Sequence, residues 1–541
     1  MDKNPNILLI LSDDMGFSDI GCYGGEVQTP NLDSLAQNGL RYTQFYTNPR
    51  CCPSRATILT GLYPHQANIG HMIDGPDIDG YVGDLSMNAV TIAEVLRSEG
   101  YKTYMAGKWH VTKYLDGTRT CNWPYSRGFD DVFGTLTGCG NYFNPQRLVR
   151  NNEKIAADQG KYFTDCITDE AIRQVRLHHE KYSDQPFFQY VAYTAPHWPL
   201  HARSKDIQKY KGRFDEGWDI LREKRMNRMK EMGIIKDEFD LSKRDETQPC
   251  WDDTLNKEWE ARRMEVYAAQ IDCMDQGIGL ILEELKQTDQ FNNTVIMFLS
   301  DNGGCAEIIA GSWKEFLIKL KIGTEKTCDG IEVKYGNYPQ NMPGGEATYQ
   351  SYGVAWANLS NTPFRLYKHW VHEGGISTPF IVHWPDGIKA KNELRHQMLQ
   401  TVDIMATILD ITDTCYPMQY EGRSIKPQEG FSFKDTFIDE PSMRNTLYFE
   451  HEGNKSVREG KWKLVCKYPG EWELYDMQSD RTETRNVIDD HMEIARSLIK
   501  KYEEWAKKCN ILPWGEILDM RSKDKALETS EKWLKAYNED N

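Results

Sequence analysis

Residues 6–14 read NILLILSDD. The apolar run 7–11 (ILLIL) stops at Ser12-Asp13-Asp14, so it reads as a strand closed by turn-forming residues. The arrangement recurs. Residues 102–106 (KTYMA) run into Gly107-Lys108-Trp109-His110, 187–193 (FFQYVAY) into Thr194-Ala195-Pro196-His197, and 294–299 (TVIMFL) into Ser300-Asp301-Asn302-Gly303-Gly304. Residues 379–383 (PFIVH) are a further candidate, and helical patterns at 88–98, 168–182 and 258–284 lie between. Alternation of this kind predicts an α/β fold, a large and mainly parallel sheet sandwiched by helices. In such sheets ligands gather beyond the carboxyl ends of the strands. Turn chemistry accounts for Asp, Asn and Gly at those ends. It does not ask for Lys108, His110 or His197.

At 541 residues the chain exceeds one ordinary core, which points to a large domain and a smaller one. The pattern changes after about Thr414. Short strand candidates at 446–450, 455–458, 461–467 and 471–475 precede a helical pattern at 491–507. They predict a C-terminal α+β subdomain with an antiparallel sheet, and the expected division is 1–425 and 426–541. The charged segment 204–259 is expected to be a solvated helical excursion on the surface.

A net charge of −16 repels polyanions and argues against nucleic-acid binding through a basic face. The 13 cysteines are scattered without paired C-x-x-C spacing, so a disulfide scaffold is not expected. No apolar run approaches a membrane span.

Asp13, Asp14, Asp301 and Asn302 should meet at one sheet edge. Hard oxygen donors without Cys or His suit Ca²⁺, with Mg²⁺ second, and not Zn²⁺. Arg55, Lys108, His110, His197 and Lys368 would stand beside the ion. A cation with Lys, Arg and His is the set needed to hold a tetrahedral oxyanion ester, so the residues point to hydrolysis of a sulfate or phosphate ester.

The nucleophile is to be sought in TNPRCCPSRATILTG, residues 47–61. Cys51 and Cys52 sit between a loop and a helix start. Buried thiols need no special setting, whereas a reactive thiol needs exposure and positive electrostatics, which a helix N-terminus followed by Arg55 offers. Cys51-Cys52-Pro53-Ser54-Arg55, closed by Leu59-Thr60-Gly61, resembles the signature of the formylglycine-dependent sulfatases of the alkaline-phosphatase-like superfamily. The resemblance extends over nearly the whole chain. It takes in 6–14, Gly107-Lys108-Trp109-His110, Ala195-Pro196-His197, Ser300-Asp301-Asn302-Gly303, and Lys368 before Glu373-Gly374-Gly375. It ends in Gly460-Lys461-Trp462-Lys463-Leu464 and Glu473-Leu474-Tyr475-Asp476.

The resemblance implies that a maturation enzyme oxidises Cys51 to formylglycine in the unfolded chain, reading Pro53 and Arg55, with Cys52 a bystander. It places residue 51 against the metal and makes the hydrated aldehyde the nucleophile. His197 becomes the general acid, His110 the base that lets sulfate leave, and Lys108 and Lys368 the ligands of the sulfate oxygens. The segment 365–373, which contains Lys368, departs from the glycine-rich form common in the family. Trp109, Trp198, His201, His369 and His372 are candidates to line a sugar-sized cleft. The implied substrate is a sulfated saccharide or aryl alcohol, and the implied location is the periplasm or exterior of a bacterium. A phosphate- or phosphonate-ester hydrolase and a silent binding protein on the same scaffold are the rival readings.

Overall fold

The computed structural model describes residues 4–158 and 160–523. Residues 1–3 and the last part of the expected C-terminal subdomain, 524–541, lie outside the described residues.

The opening stretch forms β1 (Asn6–Ser12), buried along its whole length. Along the chain follow β2 (Leu40–Tyr46), β3 (Lys102–Lys108), β4 (Asp131–Thr135), β5 (Leu148–Arg150), β6 (Glu153–Lys154), β7 (Phe187–Ala192) and β8 (Thr294–Ser300). The short pair β9 (Lys334–Tyr335) and β10 (Thr348–Tyr349) precedes β11 (Ser377–His383), β12 (Glu393–Arg395) and β13 (Leu399–Gln400). Among the described residues, β12, β2, β11, β8, β1, β7, β3, β4, β5 and β6 join in that order into one sheet, with β13 beside β2. β1 runs parallel to both neighbours, β7 and β8. β11 is antiparallel to β8 and β2, so the sheet is mixed.

Alternate side chains of β1 enter different cores, as the two-residue period of a strand requires. Leu8 and Ile10 pack in the cluster that contains Ile167 and Ile278, from helices Phe163–Tyr182 and Lys257–Gln287. Ile7, Leu9 and Leu11 pack in the cluster that contains Ile58, Ile92 and Ile408, from helices Cys51–Thr60, Ile92–Ser98 and Asp403–Ile411. Helices therefore cover both faces.

Register carries the site. Ser12 pairs with Ser300, so Asp13 and Asp14 leave β1 beside Asp301 and Asn302. Leu11 and Gly107 both pair with Ala192, which brings the ends of β1, β3 and β7 to the same edge. Gly107 has φ 116°, and a Cβ there would sit 1.9 Å from the Ala192 carbonyl oxygen. Only glycine lets β3 come this close just before Lys108.

The observed elements shift several expected bounds. The helix expected at 88–98 starts at Ile92, because Thr91 and Glu94 form a capping box. Those at 168–182 and 258–284 extend to Phe163–Tyr182 and Lys257–Gln287. β2 (LRYTQFY) was not anticipated, because Arg41, Thr43 and Gln44 interrupt its apolar pattern.

The expectation of a solvated excursion at 204–259 is corrected. Helix Gly217–Glu231 buries Trp218, Leu221, Arg222, Arg225, Met226 and Met229, several of them in the main core. Arg225 is fully buried, 2.8 Å from Asp19 and 2.8 Å from Glu26. Its charge marks partners inside the fold, which a count of charges along the chain cannot reveal.

The C-terminal antiparallel sheet joins Thr446–His451, Asn454–Glu459, Trp462–Cys466 and Trp472–Asp476 in sequential order. Helix Met492–Lys508 packs Leu498, Tyr502 and Trp505 against it. All thirteen cysteines are free thiols. Among the described residues, no helix is long and apolar enough to cross a membrane.

Replacing Arg225 by alanine strips buried Asp19 of its guanidinium partner and leaves Glu26 with Arg228 alone, 3.1 Å away. Breaking a buried pair in this way costs about 3–5 kcal/mol, which urea denaturation should register. A change of under about 0.5 kcal/mol would return the segment to an ordinary surface role.

Candidate active site

Asp13, Asp14, Asp301 and Asn302 are all fully buried. Asp14 adopts φ 65°, a strained conformation for a residue with a side chain, at the turn out of β1. Its amide donates to Asp301 Oδ1 at 3.3 Å, and Asn302 Nδ2 donates to Asp14 Oδ1 at 2.8 Å. Each carboxylate has one cationic side chain at 2.8 Å or closer, and Arg55 Nη2 also stands 3.8 Å from Asp13 Oδ1. Lys108 Nζ lies 2.6 Å from Asp13 Oδ2, Lys368 Nζ 2.7 Å from Asp14 Oδ2, and Arg55 Nη2 2.8 Å from Asp301 Oδ2.

The balance is incomplete. Burial pushes the Asp13 carboxyl well above the usual range, with Lys108 pulling against it and Asp301 adding to it. Burial also raises Asp301, with Arg55 opposing. Against the same burial, His197 and Lys368 hold Asp14 below its ordinary value. Asp13 Oδ1 and Asn302 Oδ1 are buried with no hydrogen-bond partner. Two orphaned hard oxygens among three carboxylates fit a divalent cation with oxygen ligands. Ligand atoms of Asp13, Asp14 and His197 lie within 4.8 Å of one another.

Cys51 opens helix Cys51–Thr60, all ten of whose residues are buried. The expectation of an exposed loop-to-helix thiol is corrected, since Cys51 is 2% exposed. Its Sγ lies 3.4 Å from His110 Nδ1. A hydrogen bond from Cys52, together with Lys108, His110 and Lys368, pulls the Cys51 thiol well below its ordinary value despite burial. Cys52 Sγ also lies 3.3 Å from Met72 Sδ. Arg55 Nε donates to Asp301 Oδ2 at 2.9 Å and Nη1 to the Lys108 carbonyl at 3.0 Å. The arginine thus ties the helix to the ends of β8 and β3.

His110 has φ 58°, and burial lowers its imidazole to about 4. His197 Nδ1 donates to the Trp198 carbonyl at 2.8 Å. That leaves Nε2 3.2 Å from both Lys368 Nζ and Asp14 Oδ2. Burial lowers His197 to about 3, with Asp14 opposing. Burial disfavours the imidazolium form of both rings.

Cys51, His110, His197 and Lys368 open into one cavity of about 970 Å³. Trp198 and His369 line it too. The other cleft candidates lie elsewhere. Trp109 is fully buried, donates Nε1 to the Asn122 carbonyl at 2.8 Å and packs edge-on against Phe129, because it sits in the core beneath the loop. His201 is fully buried with Nε2 2.7 Å from the Thr348 carbonyl. His372 is fully buried and faces Glu473 at 3.5 Å.

Two groups in or beside the cavity were missed. Glu307 pairs with Arg50 at 2.8 Å and accepts from Trp198 Nε1 at 2.7 Å. Position offered a signal for both, since Arg50 precedes Cys51 and Glu307 follows the Asp301 loop. His71, His451 and Glu452 also converge, with His71 Nδ1 2.8 Å from Glu452 Oε1. Their separation along the chain left no sequence signal.

The family model described as Sulfatase matches residues 5–414. The chain belongs to the sulfatase family. A second description, N-sulphoglucosamine sulphohydrolase, C-terminal, matches residues 364–508 of this sulfatase. An uncharacterised sulfatase of Schizosaccharomyces pombe is 32% identical, with 92% of each chain covered. An arylsulfatase of Klebsiella aerogenes is 33% identical over 75% of this chain and 86% of the relative. The crystal structure of Ps i-CgsB in complex with k-i-k-neocarrahexaose matches with TM-score 0.66 at 23% identity, covering 93% of each chain. The fold is the alkaline-phosphatase-like fold, and the protein is a sulfuric ester hydrolase.

Calcium added to chelator-treated sulfatase should raise its thermal midpoint. At one hundred times Kd the gain is about 2.7 kcal/mol. Asp301→Ala should remove most of the response. An unshifted midpoint with saturating calcium, and again with magnesium, would mean that Lys108, Lys368 and Arg55 alone satisfy the carboxylates.

Proposed function

We propose that this sulfatase hydrolyses a sulfate monoester carried by a saccharide, with formylglycine made from Cys51 as nucleophile and Ca²⁺ as the cation. The observation that carries the reading is the meeting of Cys51, His110, His197 and Lys368 in one cavity, directly beside the buried Asp13, Asp14, Asp301 and Asn302. A hydrated aldehyde at position 51 supplies one hydroxyl to attack sulfur and a second whose deprotonation expels sulfate, an exit that serine and cysteine lack. Asp13, Asp14, Asp301 and Asn302 would hold the cation, which favours an ionised hydroxyl and offsets charge on the sulfate oxygens. Calcium is preferred to magnesium because it tolerates an irregular set of oxygen ligands.

The side chains divide the remaining work. Lys108 and Lys368 border both the carboxylates and position 51, and they bind sulfate oxygens as negative charge builds. Arg55 holds Asp301 and the Lys108 backbone in place. His110 Nδ1 is the nearest base to position 51, and a neutral ring can accept a proton from a hydroxyl there. His197 is oriented by the Trp198 carbonyl, so Nε2 is the atom that protonates the leaving oxygen. The charge of the bound ester favours the imidazolium that this step needs.

A saccharide substrate is supported by the name of the family matched at residues 364–508 and by the neocarrahexaose held by the similar Ps i-CgsB. The reading includes a maturation enzyme acting on Cys51 and a periplasmic or secreted location.

Peptide mass spectrometry of active protein should find residue 51, and not Cys52, lighter than cysteine by about 18 Da, the difference between thiol and aldehyde. An unmodified Cys51 in fully active protein would end the proposal. Turnover of an aryl phosphate above the matching aryl sulfate would move the assignment to phosphate-ester hydrolysis. His197→Ala should lose about 10²–10⁴-fold on a sugar sulfate, whose alcohol leaves poorly, and far less on a nitrophenyl sulfate. Equal losses on both would take His197 out of the acid role. Cys51→Ser, in a host that cannot convert serine, should stop after at most one turnover as a sulfated serine.

A further inference from the structure

The cavity is larger and more apolar than a sulfated sugar alone requires. At about 970 Å³ it stands at the upper end of the range for pockets that enclose a drug-sized ligand. The groups tied to the reaction centre are polar. Arg50 adjoins Cys51, Glu307 is bonded to Trp198 beside His197, and His369 follows Lys368. Other elements add a different surface. Met72 and Ile73 come from the loop after the Cys51 helix, Leu320 and Ile322 from the end of helix Lys314–Lys319, Trp370 from the segment after Lys368, and Leu518 from helix Trp514–Lys523. None of the six carries an ionisable group, and Leu320 is 43% exposed, while Asp74, Lys113, Lys319 and Arg521 line the same cavity between them. Sugar hydroxyls pressed against such walls lose water without gaining hydrogen bonds. An alkyl or aryl group gains from every contact with them.

We infer that the substrate is a sulfated glycoside carrying an apolar aglycone, with the sulfated sugar held by the polar groups beside residue 51 and the aglycone by the walls at Ile73, Leu320, Ile322 and Leu518. This rests on the saccharide reading above and adds the second half of the molecule. The subsite discriminates by affinity for the aglycone, so it acts on kcat/KM and leaves the bond-breaking groups as they are.

The test measures sulfate release from monosulfated hexoses and N-acetylhexosamines, each supplied free and as its octyl glycoside. Phenyl sulfate and 4-octylphenyl sulfate form a pair without sugar. The octyl glycoside should exceed its free sugar by about tenfold or more in kcat/KM, given the apolar area an octyl chain can bury. The double variant Ile73→Asp, Leu320→Asp should bring that ratio towards one. Parity between free sugar and octyl glycoside in the unaltered protein overturns the inference. If no sugar sulfate is turned over while phenyl sulfate is, the saccharide reading falls by itself. The octylphenyl pair then decides the subsite, tenfold preference sustaining it and parity overturning it.

Discussion

Three carboxylates buried at the edge of one mixed sheet govern the surrounding structure. Asp13, Asp14 and Asp301 come together because Ser12 pairs with Ser300, so the backbone ladder forces the charges into proximity before any side chain is chosen. Like charges in a low-dielectric interior repel strongly. The chain answers with one cation for each, and the cations come from three remote places: the helix after Cys51, the end of β3 and the segment before β11. Those elements are drawn in around the acids. The same pairing brings the charges of Lys108 and Lys368 close to Cys51.

The C-terminal sheet serves this arrangement from a distance. Glu373, just after Lys368, is fully buried and pairs with Lys463 at 2.9 Å and Arg481 at 3.1 Å. It also accepts from the Tyr46 hydroxyl at 2.9 Å. Arg365, on the other side of Lys368, reaches Glu473 at 3.3 Å. The segment that carries Lys368 is thus clamped on both sides by residues of the smaller sheet.

What could be read in advance follows a physical division. Apolar runs ending in Asp13, Lys108, His197 and Asp301 were legible because buried strands and sheet-edge function leave local marks. So was the four-stranded C-terminal sheet, whose tight turns punctuate the chain. β2 was hidden by its polar residues, which find partners across the sheet edge rather than water. Arg225 looked like surface because its partners, Asp19 and Glu26, lie some two hundred residues earlier. Trp109 and His201 sat in plausible motifs, yet a hydrogen bond to a backbone carbonyl fixes each inside the core. The meeting of His71 with Glu452 depends on tertiary closure and left no local trace, and Glu307 was marked only by its place after the Asp301 loop.

The helix Cys51–Thr60 carries a consequence for how active molecules arise. Pro53 and Arg55 are buried in the finished fold, so another polypeptide cannot grip them there. An enzyme that recognises those neighbours has to reach Cys51 before the sheet closes. Closure depends on distant partners, such as Asn6 with Thr294, and non-local pairing of this kind is slow to form. On the proposed formylglycine reading, conversion and folding are competing rates acting on a common precursor. A chain that folds first keeps its thiol and is locked out of the chemistry for as long as it stays native. A partly converted preparation is then a mixture of full-strength and inert molecules, and its specific activity records the outcome of that kinetic partition rather than the quality of the catalyst.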